Sequence, residues 1–162
     1  MRSGILAKYL SWFVPPVSIL QSLLLLIIRL YWGWEFFLAG KGKLMDLEKP
    51  TAYFQSLKIP FPHQQAILVG STECFGGLLL LIGFCSRLIS VPLMILLTVA
   101  YLTADLDKLR MIFSDPDKFL TADEFLFLLA VILILVFGPG KFSIDWLLQR
   151  KVFSSSDGPE SR

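Results

Sequence analysis

The run from Val17 to Ala39 constrains this chain most. It is almost wholly apolar, yet it carries Arg29 near its middle and Glu35 further on, and it leads into Gly40-Lys41-Gly42-Lys43. About 20 consecutive apolar residues are what an α-helix needs to cross a bilayer, and this run has that length. A charge in the middle of such a helix is costly, so it faces the interior of a bundle and finds a partner there.

Composition supports the same class. The 162 residues are 55% hydrophobic and 17% charged, with a mean hydropathy of +0.67. Soluble chains hold about 45–50% apolar and about 25% charged residues, so the excess marks an integral membrane protein. The net charge of +2, spread without a basic face, argues against a nucleic-acid partner. His63 is the sole histidine, and no Cys/His cluster has metal-ligand spacing, so no metal site is expected. Cys74 and Cys85, about 16 Å apart if one helix ran through both, read as buried free thiols.

Four spans are expected, at about 17–39, 66–84, 88–104 and 123–138, forming an all-α membrane four-helix bundle in one domain over 1–153. Ser86-Arg87 reads as a tight turn joining spans two and three as an antiparallel hairpin. Short interfacial helices are expected at the termini: one before a break at Pro15-Pro16, and one after Gly138-Pro139-Gly140 carrying Trp146, Leu147, Arg150 and Lys151. Pro50 could open a short helix through Leu57, and Ile59-Pro60-Phe61-Pro62 reads as extended. Thr121 to Glu124 fits a capping box for span four. The polar tail 154–162 is expected to be disordered. Lys and Arg divide evenly between the two sides, so they give no orientation bias. We place the termini in the cytoplasm of a bacterium, with the protein in its cytoplasmic membrane.

Glu73 lies near the midpoint of span two, on a face with Gly70 and Gly77, and small residues at that spacing let a neighbouring helix approach closely. Arg29 shares a stripe with Gly33 and Gly40. Two opposite charges at matching depth suggest an Arg29–Glu73 ion pair at the bundle centre, with Trp32, Gly33, Phe36, Phe37, Gly70, Gly77 and Tyr101 lining a cavity around it. Two alternatives stand beside this. Arg29 snorkels to the headgroups, with Tyr31, Trp32 and Trp34 marking the interface, or Glu73 is a protonated, hydrogen-bonded packing residue. Pro92 frees a carbonyl in span three and kinks it.

In order and spacing, several short motifs resemble the DoxX family of small four-span membrane proteins over roughly residues 22–147. They are Arg29-x3-Gly33 with Phe37-x2-Gly40-x2-Lys43, the loop Phe54 to Pro62, Glu73-Cys-Phe-Gly76-Gly77 continuing to Gly83 and Arg87, and Gly138-Pro139-Gly140 with Ser143 and Asp145. The resemblance implies an association with quinone-linked redox chemistry. In that reading the protein is an accessory or subunit, Arg29 polarises a quinone carbonyl, Glu73 exchanges a proton, and a partner redox enzyme supplies electrons. Two other classes stay open: a non-catalytic membrane interaction module whose buried charges fix helix register, and a small proton-coupled transporter. A homo-oligomer is compatible with each.

Overall fold

In a bilayer a chain can satisfy its backbone polar groups only internally, and long apolar runs therefore become helices. The computed structural model describes residues 3–104, 106–110, 113–120 and 123–156, all helix and short turns. The elements are α1 (Ser3–Met45), α2 (Glu48–Ser56), α3 (Pro62–Ile82), α4 (Ser86–Thr103), α5 (Leu106–Arg110), α6 (Pro116–Leu120), α7 (Asp123–Phe137) and α8 (Ile144–Ser156). Among the described residues, three stretches are long and apolar enough to cross a membrane: Val17–Met45 of α1, α3 and α4. The fourth expected span corresponds to α7, which is apolar but has only 15 residues, about 22 Å by helical rise. By length alone α7 falls short of the crossing expected there.

α1, α3, α4 and α7 pack in a ring, with α1 against α3, α3 against α4, α4 against α7, and α7 back against α1. Each supplies part of one core: Phe36 from α1, Leu80 from α3, Leu93 and Leu97 from α4, and Val131 and Ile134 from α7. Phe127 joins α7 to α1, edge-on to Phe36 and to Trp32 with ring centroids 4.7 Å apart in both pairs. Exposed Leu, Ile and Val cover the outer faces of all four helices, the kind of apolar surface that suits a bilayer.

The α1–α3 contact is the closest of these, and glycine makes it possible. A Cβ at Gly77 would lie 2.5 Å from Phe37 N and 2.6 Å from Gly33 O, both backbone atoms that cannot yield. Gly40 is equally tight against the Gly70 carbonyl and the Cys74 backbone. The helices are antiparallel, so Gly33 meets Gly77 while Gly40 meets Gly70, and the register is fixed along their whole shared length.

Several local expectations are corrected. α1 runs unbroken through Pro15-Pro16 rather than stopping there. Two adjacent prolines remove two N–H donors, but ending a helix in apolar surroundings would strand still more backbone groups. The α3–α4 turn is Gly83 to Cys85, and Ser86-Arg87 already belongs to α4. Phe61 is left-handed (φ +54°) rather than extended, as is Lys58 (φ +56°), because the chain must reverse from α2 into α3 within a few residues. The α2 and α8 helices lie where the proline, glycine and aromatic signals put them. Thr121 and Ala122 of the expected capping box, and residues 157–162 of the tail, lie outside the described residues, and α8 extends to Ser156.

Gly77→Ala should therefore force α1 and α3 apart and lower stability by about 1–3 kcal/mol. Gly42→Ala, where an added Cβ meets nothing within 4 Å, should be neutral or stabilising by up to about 1 kcal/mol through helix propensity. Thermal unfolding in detergent micelles reads both; equal effects would contradict the close contact.

Candidate functional site

Arg29 and Glu73 are both buried, at 1% and 5% relative exposure, as charged residues inside a bundle must be. They do not pair with each other. The glycine register sets Arg29 beside Gly83, at the α3–α4 turn, and sets Glu73 level with Phe37, where the Lys43 side chain reaches it. Arg29 and Lys43 are about 21 Å apart along α1 by helical rise. The depth expected for Arg29 was read from its own run alone, whereas the antiparallel register decides which part of α3 it meets.

Arg29 is the centre of a clasp. Its Nη1 donates to the Pro139 carbonyl at 2.6 Å and its Nη2 to the Phe142 carbonyl at 2.9 Å. Gly83 (φ +70°) closes α3, and a Cβ there would lie 2.7 Å from Arg29 Nη1 and from Ser143 Cβ, so only glycine leaves the guanidinium room. Asp145 completes the knot. Its backbone N–H donates to the Gly83 carbonyl at 3.0 Å, and its carboxylate accepts from the N–H groups of Cys85 (2.7 Å) and Ser86 (2.9 Å). A carboxylate on the first N–H groups of α4 satisfies orphan donors and meets the positive end of the helix dipole. Buried Ser143 donates to the Gly140 carbonyl (2.8 Å) and accepts from Trp146 N (3.2 Å), starting α8. Arg87 lies against Gly138 and donates to the Val136 carbonyl at 3.4 Å. Arg29, Gly83, Arg87, Gly138, Pro139, Gly140, Ser143 and Asp145 thus gather at one end of the bundle, in a structural role.

The other end holds the second buried charge. Lys43 Nζ donates to Glu73 Oε2, forming an ion pair with the carboxylate side nearly sealed and the ammonium side a third exposed. The pair faces a cleft of about 970 Å³ walled by α1, α2, α3, α4 and the start of α7. Most of the wall is apolar or aromatic: Phe36, Tyr53, Phe54, Leu96 and Phe127, with Pro92 also lining it. Clefts of this size and character hold small molecules. At its mouth, outside the spans, Lys49 pairs with Asp46 at 2.8 Å. That hydrogen bond holds the Asp46 carboxyl below its ordinary range and the Lys49 ammonium above its own, so both stay charged near neutrality.

Of the residues expected to line a cavity, Phe36 does. Gly33, Gly70 and Gly77 are spent on the α1–α3 contact. Trp32 stacks edge-on to Phe127, Phe37 lies beside Trp34 at 5.6 Å between centroids, and Tyr101 is buried in α4. Lys43 entered the sequence reading as part of a motif and not as the partner of Glu73; α2 was not expected to wall a site at all. Cys74 and Cys85 are free thiols, as expected, but half-buried rather than buried.

Double-mutant cycles on unfolding separate the two ends. Lys43→Met and Glu73→Gln should couple by at least about 1 kcal/mol, while Arg29→Met and Glu73→Gln should add to within about 0.5 kcal/mol. Coupling in the second pair and additivity in the first would reverse the assignment.

No curated protein and no solved structure gave a significant match to the chain. The family model for DoxX matches residues 24–106, just over half of the 162, and takes in Arg29, Gly33, Gly40, Lys43, Glu73, Gly77, Gly83 and Arg87. A helical membrane protein whose matched segment contains both buried charges and the glycine register that separates them, this chain belongs to the DoxX family.

Proposed function

We propose that this protein is a redox-associated membrane protein that binds a quinone-class head at Lys43 and Glu73. One observation carries the reading: an ion pair buried at the wall of a mostly apolar, partly aromatic cleft of about 970 Å³. An ion pair kept in apolar surroundings is seldom retained for stability alone, because its desolvation offsets its attraction. Intramembrane ionisable groups mark ligand or proton pathways.

The donor set fits such a group. Lys43 Nζ has two hydrogens beyond the one given to Glu73 and can donate to a carbonyl oxygen. Glu73 holds or releases a proton beside it, and Phe36 and Phe127 supply aromatic faces for a ring. A bound quinone would supply two-electron redox chemistry. The chain's own part is to bind, orient the carbonyl and exchange a proton at Glu73, while electrons come from a partner enzyme. Lys43 takes the role that the sequence reading gave to Arg29.

In the same reading α7 is the fourth crossing, its shortness met by tilt or local thinning, within one domain. The clasp lies on the side of both termini, taken as the cytoplasmic side of a bacterial membrane, and the cleft opens toward the opposite surface.

Titrating decyl-ubiquinone into the protein in nanodiscs tests this. The parent should bind, with Lys43→Met and Glu73→Gln each weakening affinity at least about tenfold, the equivalent of ~1.4 kcal/mol. Arg29→Lys should bind like the parent. An absence of binding in the parent, or loss with Arg29→Lys alone, would contradict the assignment.

A further inference from the structure

The cleft has a second part that the ion pair does not explain. α3 and α4 are in contact near their shared turn, where a Cβ at Gly76 would meet Leu93 and Ile89. Toward the other end they frame the cleft, which continues along α4 from Thr103 to Pro92, about 17 Å by helical rise. Pro92 stands at its end toward the α3–α4 turn, where the proline lacks a hydrogen bond to the preceding turn. Leu68 on α3 and Ile95 and Val99 on α4 line this trench while being 58%, 57% and 50% exposed. In a membrane-spanning pair of helices, residues that are at once cleft wall and outer surface mark a lateral opening to lipid.

Charge restricts what can lie there. Among the described residues, the charged groups lining the cleft are Lys43, Lys49, Glu73 and Glu124, two cations and two carboxylates. Lys43 is engaged by Glu73 and Lys49 by Asp46, so neither cation is left over to meet an anionic headgroup.

Resting on the quinone reading above, we infer that the ligand is a single-tailed amphiphile with an uncharged head. It enters sideways from the bilayer and lays its tail in the α3–α4 trench, with its head at Lys43. The trench is thus the element that selects for a tail, and Leu68, Ile95 and Val99 are its positioning residues.

The test compares a tail-less ubiquinone head with its decyl homologue on the full-length protein in phosphatidylcholine nanodiscs, using the parent and Ile95→Trp. Leu68→Trp, on the facing wall, is a second plug should the first lower the unfolding temperature. A plug should weaken decyl-ubiquinone at least tenfold and leave binding of the tail-less head unchanged. The plug comparison cancels the general preference of a tail for membrane. Equal effects on both ligands, or none on either, overturn the trench while leaving the head site standing. A phospholipid co-purifying in the parent and lost in the plugged variants, with quinone binding unaltered, assigns the trench to bilayer lipid and also overturns it. If neither quinone binds the parent, the head site fails and the trench assignment with it.

Discussion

The backbone-to-backbone contact of α1 with α3 is what the remaining geometry depends on. Gly33 and Gly40 on one helix and Gly70 and Gly77 on the other are each seven positions apart, and in antiparallel order they interlock at two levels. Lipid tails are as apolar as leucine, so helix association in a membrane rests on packing of this kind rather than on hydrophobic burial. Once both glycine pairs meet, a slip of one helix along the other would drive a Cβ or a larger side chain into backbone. Every polar group on α1 is thereby assigned its level on α3.

That assignment sorts the charges into two ends with different work. At one end Arg29 is held by carbonyls, its charge spread over the Pro139 and Phe142 peptides with Asp145 nearby, and the polar groups there tie α1, the α3–α4 turn and the segment after α7 together. A guanidinium suits this, because its planar fork can serve two acceptors at once. At the other end Lys43 and Glu73 satisfy each other but keep one side open to a cavity. The clasp closes the bundle where α3 and α4 turn, which leaves those two helices free to part at the far end. The cleft is a consequence of where the bundle is tied.

Much of the fold was legible from composition and local chemistry. Apolar run length located α3, α4 and α7 to within a few residues, whereas α1 runs from Ser3 to Met45, well past the expected 17–39. The turn near Ser86 joined α3 to α4, and Pro50 and the Trp146 region foretold α2 and α8. The site was only half legible. Burial of Arg29 and Glu73 followed from charge in an apolar run, but their partners are a matter of register between helices, which hydropathy along one helix does not carry. The equal seven-residue glycine spacings carried part of it. Pairing Gly33 with Gly77 and Gly40 with Gly70 sets Arg29 near Gly83 and Glu73 level with Phe37, about 12 Å from Arg29 and about 9 Å from Lys43 by helical rise, a gap that the long Lys43 side chain closes. Pro15-Pro16 misled because the rule that proline ends a helix is weaker where no water waits for the freed carbonyls. Phe61 misled because the reversal into α3 overrode the preference of a pre-proline residue for extended backbone.

Register is measured most directly by cross-linking in native membranes, in a Cys74→Ala, Cys85→Ala background. A Cβ at Gly70 would lie 3.3 Å from Lys43 Cβ, close to the ~3.8 Å of a disulfide. Lys43→Cys with Gly70→Cys should therefore link under mild oxidation, while Arg29→Cys with Glu73→Cys should not. Linking of the Arg29 and Glu73 positions, with none between 43 and 70, would contradict the register on which both the clasp and the cleft rest.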